Sequence, residues 1–224
     1  HRAFSRIYTA CVNESLNELS YPARLAGLNY SIKEGYEGIY VDVSGYKESS
    51  LRLYELMLEH MTDFKITQSQ FEAIKDKIVR DYENLALSDA YMQTRELAPD
   101  LFYNIKYTWK QVLPIAKGAT FDEIKSYESN LFTRTYLEAM VYGDYVEEDA
   151  KKVLSVFKSK TRTEGISKED AFELSYLNMS KPESVQYVDK LLVNNSCFFR
   201  MYEIGKDSPK TCLLYTSPSP RDSD

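Results

Sequence analysis

The sequence predicts an α+β fold: a layered domain with helices packed on a mostly antiparallel sheet. Three observations carry this. Between Gly38 and Ser44 the residues alternate, with Ile39, Val41 and Val43 on one side and Tyr40, Asp42 and Ser44 on the other. Such alternation marks a strand with one buried face. The run that follows carries Leu51, Tyr54, Leu58 and Met61 at helical spacing. Strand-like patterning then returns after long helical stretches, which points to helices layered on a sheet.

Each element follows in order. Phe4 to Arg24 reads as a helix with Ile7, Cys11, Leu16 and Leu19 facing a core, broken at Tyr21-Pro22. Proline suits a first helical turn and not a helix interior. Ala26-Gly27 ends this helix. Leu28 to Glu34 is extended, Gly35 turns the chain, and Gly38 to Ser44 completes a hairpin. Gly45 then stops the strand before the next helix.

Thr67-Gln68-Ser69-Gln70 is a capping box, in which Thr67 accepts from a backbone N–H and Gln70 reaches back. Its helix buries Phe71, Ile74, Ile78, Tyr82 and Leu85. A run from Ser88 carries Tyr91, Met92, Arg95, Leu97 and Phe102, with a kink expected at Pro99. Trp109 to Ile115 reads as one short turn of helix, ended by Gly118. Thr120 to Glu123 forms a second capping box, and its helix holds Ile124, Tyr127 and Leu131. Tyr136 to Tyr142 alternates again, with Leu137, Ala139 and Val141 on one face, so a third strand is expected. Gly143-Asp144 turns it into a helix facing inward through Val146, Ala150, Val153, Leu154 and Phe157.

Residues 1–160 thus form one expected domain. Residues 161–184 read as a polar linker with a helical piece near Ala171 to Tyr176. In 185–211, Val185 to Val193 and Cys197 to Ile204 are strand-like, either a closing hairpin or the start of a following domain. Residues 212–224, beginning CLLYTSPSPRD, resemble the translation of a transposon-based sequencing adapter and are expected to be non-native. The chain opens on His1, so a fragment truncated at both ends is expected.

At 43% hydrophobic and 28% charged residues the composition is that of a globular domain. No apolar run approaches the ~20 residues of a membrane span. The net charge of −6 has no basic face to offer nucleic acid. Partners are therefore expected to include neither nucleic acid nor membrane. Cys11, Cys197 and Cys212 give no paired framework, which favours a reducing compartment or simple core thiols, and a cytoplasmic setting is the expectation. Asn13, Asn29, Asn178 and Asn194 begin N-x-S triplets, a pattern common by chance.

Catalytic chemistry is sparse. His60 follows Glu59 as in H-x-x-E-H, but Leu56 stands where the first histidine belongs. There is no G-x-S-x-G and no glycine-rich phosphate loop. The Glu147-Glu148-Asp149 cluster opens a helix, where the macrodipole favours negative charge. The nineteen tyrosines read as amphipathic packing, with a peptide-binding wall as the sharper alternative. No catalytic, cofactor-binding or metal-ligating residue is assigned.

An ordered set of short matches adds a family. Leu16-Asn17-Glu18, Ala26-Gly27-Leu28 with Tyr30, Val43-Ser44-Gly45-Tyr46, Phe71-Glu72 with Lys75, and Tyr142-Gly143-Asp144 resemble the third domain of the insulysin and pitrilysin metallopeptidases. The likeness runs from Phe4 to Phe157 and more loosely over Val193 to Gly205. The resemblance implies four homologous α/β domains in two halves, closing around a peptide chamber. It implies zinc bound in the first domain by H-x-x-E-H and a later glutamate, with the third domain a copy lacking ligands. Here the helix equivalent to the ligand-bearing one, Phe4 to Leu19, has no histidine, and the third-ligand position falls near Arg80. The resemblance therefore implies a non-catalytic chamber-wall segment with no cofactor of its own. Its partners would be the zinc-bearing N-terminal half of the same protein and peptide substrates. A catalytically inactive relative serving as an assembly or binding subunit is the alternative.

Overall fold

The computed structural model describes residues 2–103, 107–175 and 186–202. The chain begins with α1 (Arg2–Ser15) and α2 (Asn17–Leu25), followed by β1 (Asn29–Glu34) and β2 (Ile39–Ser44). Then come α3 (Lys47–Thr62), α4 (Gln68–Ala86), α5 (Ala90–Phe102), α6 (Trp109–Gly118) and α7 (Phe121–Leu131). A two-residue β3 (Arg134–Thr135), α8 (Glu147–Thr161) and a two-residue β4 (Glu164–Gly165) complete the order. The fold is α+β: helices around a small antiparallel hairpin.

The interruption between α1 and α2 falls at Leu16, not at Tyr21-Pro22 as the sequence suggested. Leu16 is fully buried, and its N–H is shared between the carbonyls of Val12 and Asn13. Core packing, not proline, sets the break. Pro22 sits inside α2 on an exposed turn, where solvent replaces the bond that its missing N–H would have made to Glu18. The end of α2 is a Schellman motif. Leu28 N–H reaches Ala23 O at 2.9 Å and Gly27 N–H reaches Arg24 O at 3.0 Å, with Gly27 at φ 73°.

β1 and β2 form the expected hairpin, paired from Asn29↔Ser44 to Glu34↔Ile39. Ile39, Val41 and Val43 are half-buried and their neighbours exposed. The chain leaves β2 through Gly45 at φ 143°. A Cβ there would lie 2.4 Å from Leu28 Cδ2 and 3.0 Å from Gly27 O, so only glycine passes.

α1 is the central element, packed against β1, α4, α6 and α7. Its Ile7, Tyr8, Cys11 and Val12 are fully buried. Burial of side chains this size is worth roughly 1.5–3 kcal/mol each. Around Tyr8 lie Phe64 and Tyr127 in edge-on contact at 6.1 and 5.7 Å, and Phe121 meets Phe71 at 5.3 Å. On α3 the buried stripe is Leu53, Met57, Leu58 and Met61, while Leu51 and Tyr54 flank it half-buried. Both expected capping boxes are formed, at Thr67/Gln70 and Thr120/Glu123. At the start of α6 the Gln111 side chain accepts from Thr108 N–H at 3.0 Å, half of a capping box, and that helix runs for ten residues.

The expected third strand over Tyr136 to Tyr142 does not form. Only Arg134 and Thr135 pair, in parallel with Glu164 and Gly165. Met140 and Tyr142 are 88% and 87% exposed, and among the described residues no strand lies beside the stretch to complete a ladder. α8 does follow, but its contact face is Phe157 with half-buried Val153 and Val156; Val146 and Leu154 are exposed. Residues 171–175 are not helical, and 186–202 contain no strand. Tyr176, Val185, Ile204 and the adapter-like tail lie outside the described residues.

Candidate functional site

The face between α1 and α4 is where the family resemblance would place metal ligands. Arg6 occupies it. Its guanidinium pairs with Asp81 at 3.3 Å and lies 4.5 Å over the Tyr82 ring. Arg80, one residue earlier, is exposed on α4. Cys11, the nearest soft ligand by type on α1, is fully buried, and burial pushes its thiol up to about 12. A metal needs the thiolate, so this cysteine is poorly suited to bind one. Among the described residues no three histidine, cysteine or acidic side chains come together as a metal-holding group. The donor set on this face does not fit zinc, which requires clustered nitrogen, sulfur or carboxylate ligands.

Glu59 and His60, the pair that looked like half a zinc motif, point to different neighbours. Glu59 takes a 2.6 Å ion pair from Lys160 of α8, and that hydrogen bond holds its carboxyl below the ordinary carboxylate value. His60 Nδ1 lies 2.9 Å from Ser15 Oγ of α1. The two residues tie α3 to its neighbours on either side.

Sequence reasoning missed Glu128. This carboxylate is 5% exposed on α7, where it accepts from Phe64 N–H at 2.7 Å and pairs with Lys125 at 2.8 Å. Lys125 also donates to Phe64 O at 2.8 Å, and its ammonium lies 3.9 Å from the Phe64 ring centroid. Both main-chain polar groups of a buried phenylalanine are thus satisfied by one Lys/Glu pair. The spacing of three on a helix was the only sequence signal, and it usually marks a surface pair. With Glu128 buried and Lys125 partly exposed, the pair anchors the α3–α4 connection to α7.

The described residues also form open clefts. One, of about 440 Å³, is lined by Gly35, Tyr36, Glu37, Tyr40, Tyr103 and Leu174 at the hairpin turn. Another, of about 460 Å³, lies along α5 beside Tyr91, Arg95, Ala98 and Phe102, facing Phe198 and Met201. The tyrosines therefore divide. Tyr8 and Tyr82 are core residues, whereas Tyr36, Tyr40 and Tyr103 meet at a solvent-open cleft.

The hairpin backed by α1 and followed by α3 defines a domain of the peptidase type that the sequence resembles. The family model for the middle or third domain of peptidase M16 matches residues 1–114, and the chain belongs to this family. Mug138 of Schizosaccharomyces pombe is 28% identical over 148 residues, 66% of this chain and 15% of that protein. The insulin-degrading enzyme of Homo sapiens is 25% identical over 156 residues, 70% of this chain and 15% of that enzyme. The crystal structure of pitrilysin shares the fold with a TM-score of 0.64 at 19% identity, over 72% of this chain and 17% of pitrilysin. The chain thus spans about 15% of the length of the curated relatives it matches.

Proposed function

We propose that this chain is a non-catalytic wall segment of a zinc metalloendopeptidase that degrades peptides, helping to enclose and position substrate. The zinc and the glutamate that activates its water would belong to the N-terminal half of the same protein, its principal partner. The observation that carries this reading is Arg6 on the α1–α4 face. A fixed guanidinium paired with Asp81 stands where the family resemblance calls for ligands to a dication. Electrostatics there disfavours a second positive charge.

The test is metal analysis and peptidase assay on purified residues 1–211. We expect no tightly held zinc and no hydrolysis of peptides; one zinc per chain would overturn the assignment. The upstream coding sequence supplies the second arm. An intact H-x-x-E-H there, with zinc-dependent peptidase activity of the longer protein, supports the wall reading. Degenerate ligands there would instead make the whole protein an inactive assembly or binding subunit.

A further inference from the structure

The β1–β2 turn builds a cleft that neither the core nor the α1–α4 face accounts for. Tyr36 and Glu37 lie in the turn, Tyr40 follows on the exposed side of β2, and Tyr103 and Leu174 close the other wall. The rings are held in place. Tyr36 meets Tyr103 at 5.0 Å between centroids with a 39° tilt. The Tyr40 ring lies over Gly35, where a Cβ would come within 2.3 Å of Cε2.

We propose that this cleft binds a cationic side chain, lysine or arginine, presented by an extended peptide. Three features carry the assignment. First, among the described residues the lining pairs aromatic rings with one carboxylate and no basic side chain. Aromatic faces carry negative potential and attract ammonium and guanidinium groups. Second, one of these rings already holds such a group, since the Arg2 guanidinium lies 5.0 Å over Tyr36. Third, Glu37 forms no ion pair among the described residues. Its carboxylate takes only a long 3.4 Å bond from Leu174 N–H, which leaves it capacity for a cation. Tyr40, half exposed, has no hydrogen-bond partner among the described residues that would fix its hydroxyl elsewhere. An apolar side chain would satisfy the rings but leave the carboxylate facing it unpaired.

The proposal deepens the wall reading and rests on it for the identity of the ligand as a peptide, but its test needs no zinc. The 224-residue chain is titrated with acetyl-Ala-Lys-Ala-amide, its arginine counterpart and its norleucine counterpart, followed by calorimetry and tyrosine NMR shifts. The basic peptides are expected to bind at least about fivefold more tightly than the norleucine peptide. Tyr40→Phe keeps binding within about twofold, because the ring face does the work, whereas Tyr40→Ala loses about fivefold or more. Glu37→Gln weakens the basic peptides about threefold and leaves the norleucine peptide unchanged. This exposed substitution preserves the fold even if Tyr40→Ala does not. Equal binding of the norleucine peptide, or no saturable shift with any peptide, overturns the cleft assignment and leaves the wall reading standing. Zinc bound to the chain overturns the wall reading and leaves this titration interpretable.

Discussion

Residues 38–44 and 136–142 carry the same signature, three apolar residues in strict alternation, each run ended by glycine. One becomes β2 and the other stays irregular. The difference lies in their neighbours. Gly35 and Gly38 return the chain so that β1 arrives antiparallel to β2, and α1 covers the paired strands. Residues 136–142 follow the two-residue β3, whose parallel pairing with β4 stops at Thr135. Alternation reports which side chains could share a face. It does not supply the partner whose N–H and C=O groups make an extended segment a strand.

The largest expected contrast is in hydrogen exchange. The amides of Ser31 and Asp42, opposite one another in the ladder, should exchange about a thousandfold more slowly than those of Glu138 and Met140. Comparable rates by NMR would mean that the hairpin is no better ordered than the unpaired run. Next comes core substitution. Ile32 is 4% exposed, and Ile32→Ala should cost about 2–4 kcal/mol in urea unfolding, while half-buried Leu137→Ala costs under ~1 kcal/mol. Equal losses would show that 136–142 packs as tightly as β1.

The glycines that end the two runs give a finer test. Both have positive φ, but a Cβ at Gly143 meets nothing nearer than 3.5 Å, whereas at Gly45 it meets backbone at 3.0 Å. Gly45→Ala should destabilise by roughly 2–3 kcal/mol and Gly143→Ala by about 1 kcal/mol, both read from unfolding midpoints at constant slope. The smallest effect is electrostatic. Glu59 has its carboxyl lowered from an ordinary value of 4.5, first by the Lys160 hydrogen bond. A carboxyl depressed in the folded state adds stability that is present above its unfolded value and is lost as pH falls through the folded one. The pair's contribution should therefore be intact at neutral pH and fade below pH 4.5. Lys160→Met should move the Glu59 NMR titration up toward 4.5. It should change stability by less than ~1 kcal/mol, because both groups are solvent-screened.

Much of the first half was legible because its signals are local. The Thr67 and Thr120 boxes, the hairpin and Gly45 each act within a few residues of themselves. The family matches, too, fall mainly on those stretches, from Leu16 through Lys75. What the sequence hid depends on distant contacts. Leu16 breaks the first helix because the core takes its side chain. Glu128 is buried because the Phe64 N–H, sixty-four residues earlier in the chain, needs an acceptor. The tyrosine cleft depends on Tyr103 and Leu174 reaching the hairpin turn, which no periodicity encodes. The Glu59-His60 pair is set aside on sequence because Leu56 stands where a histidine belongs, but its actual partners, Lys160 and Ser15, are distant in the chain.

Asn13 carries one further consequence. Its side-chain nitrogen donates to Thr9 O at 2.8 Å and to Ile32 O at 3.0 Å, joining α1 to β1. That nitrogen is also the atom an oligosaccharide would take in the Asn13-Glu14-Ser15 triplet. Sugar attached there would displace both bonds and wedge the helix from the strand, so the folded domain closes this acceptor by its own packing. Asn29 is exposed at the start of β1, but the Ser31 hydroxyl of its triplet is buried. In a glycosylating host, mass spectrometry of the folded product should find no carbohydrate on Asn13; carbohydrate there would mean that modification outruns folding.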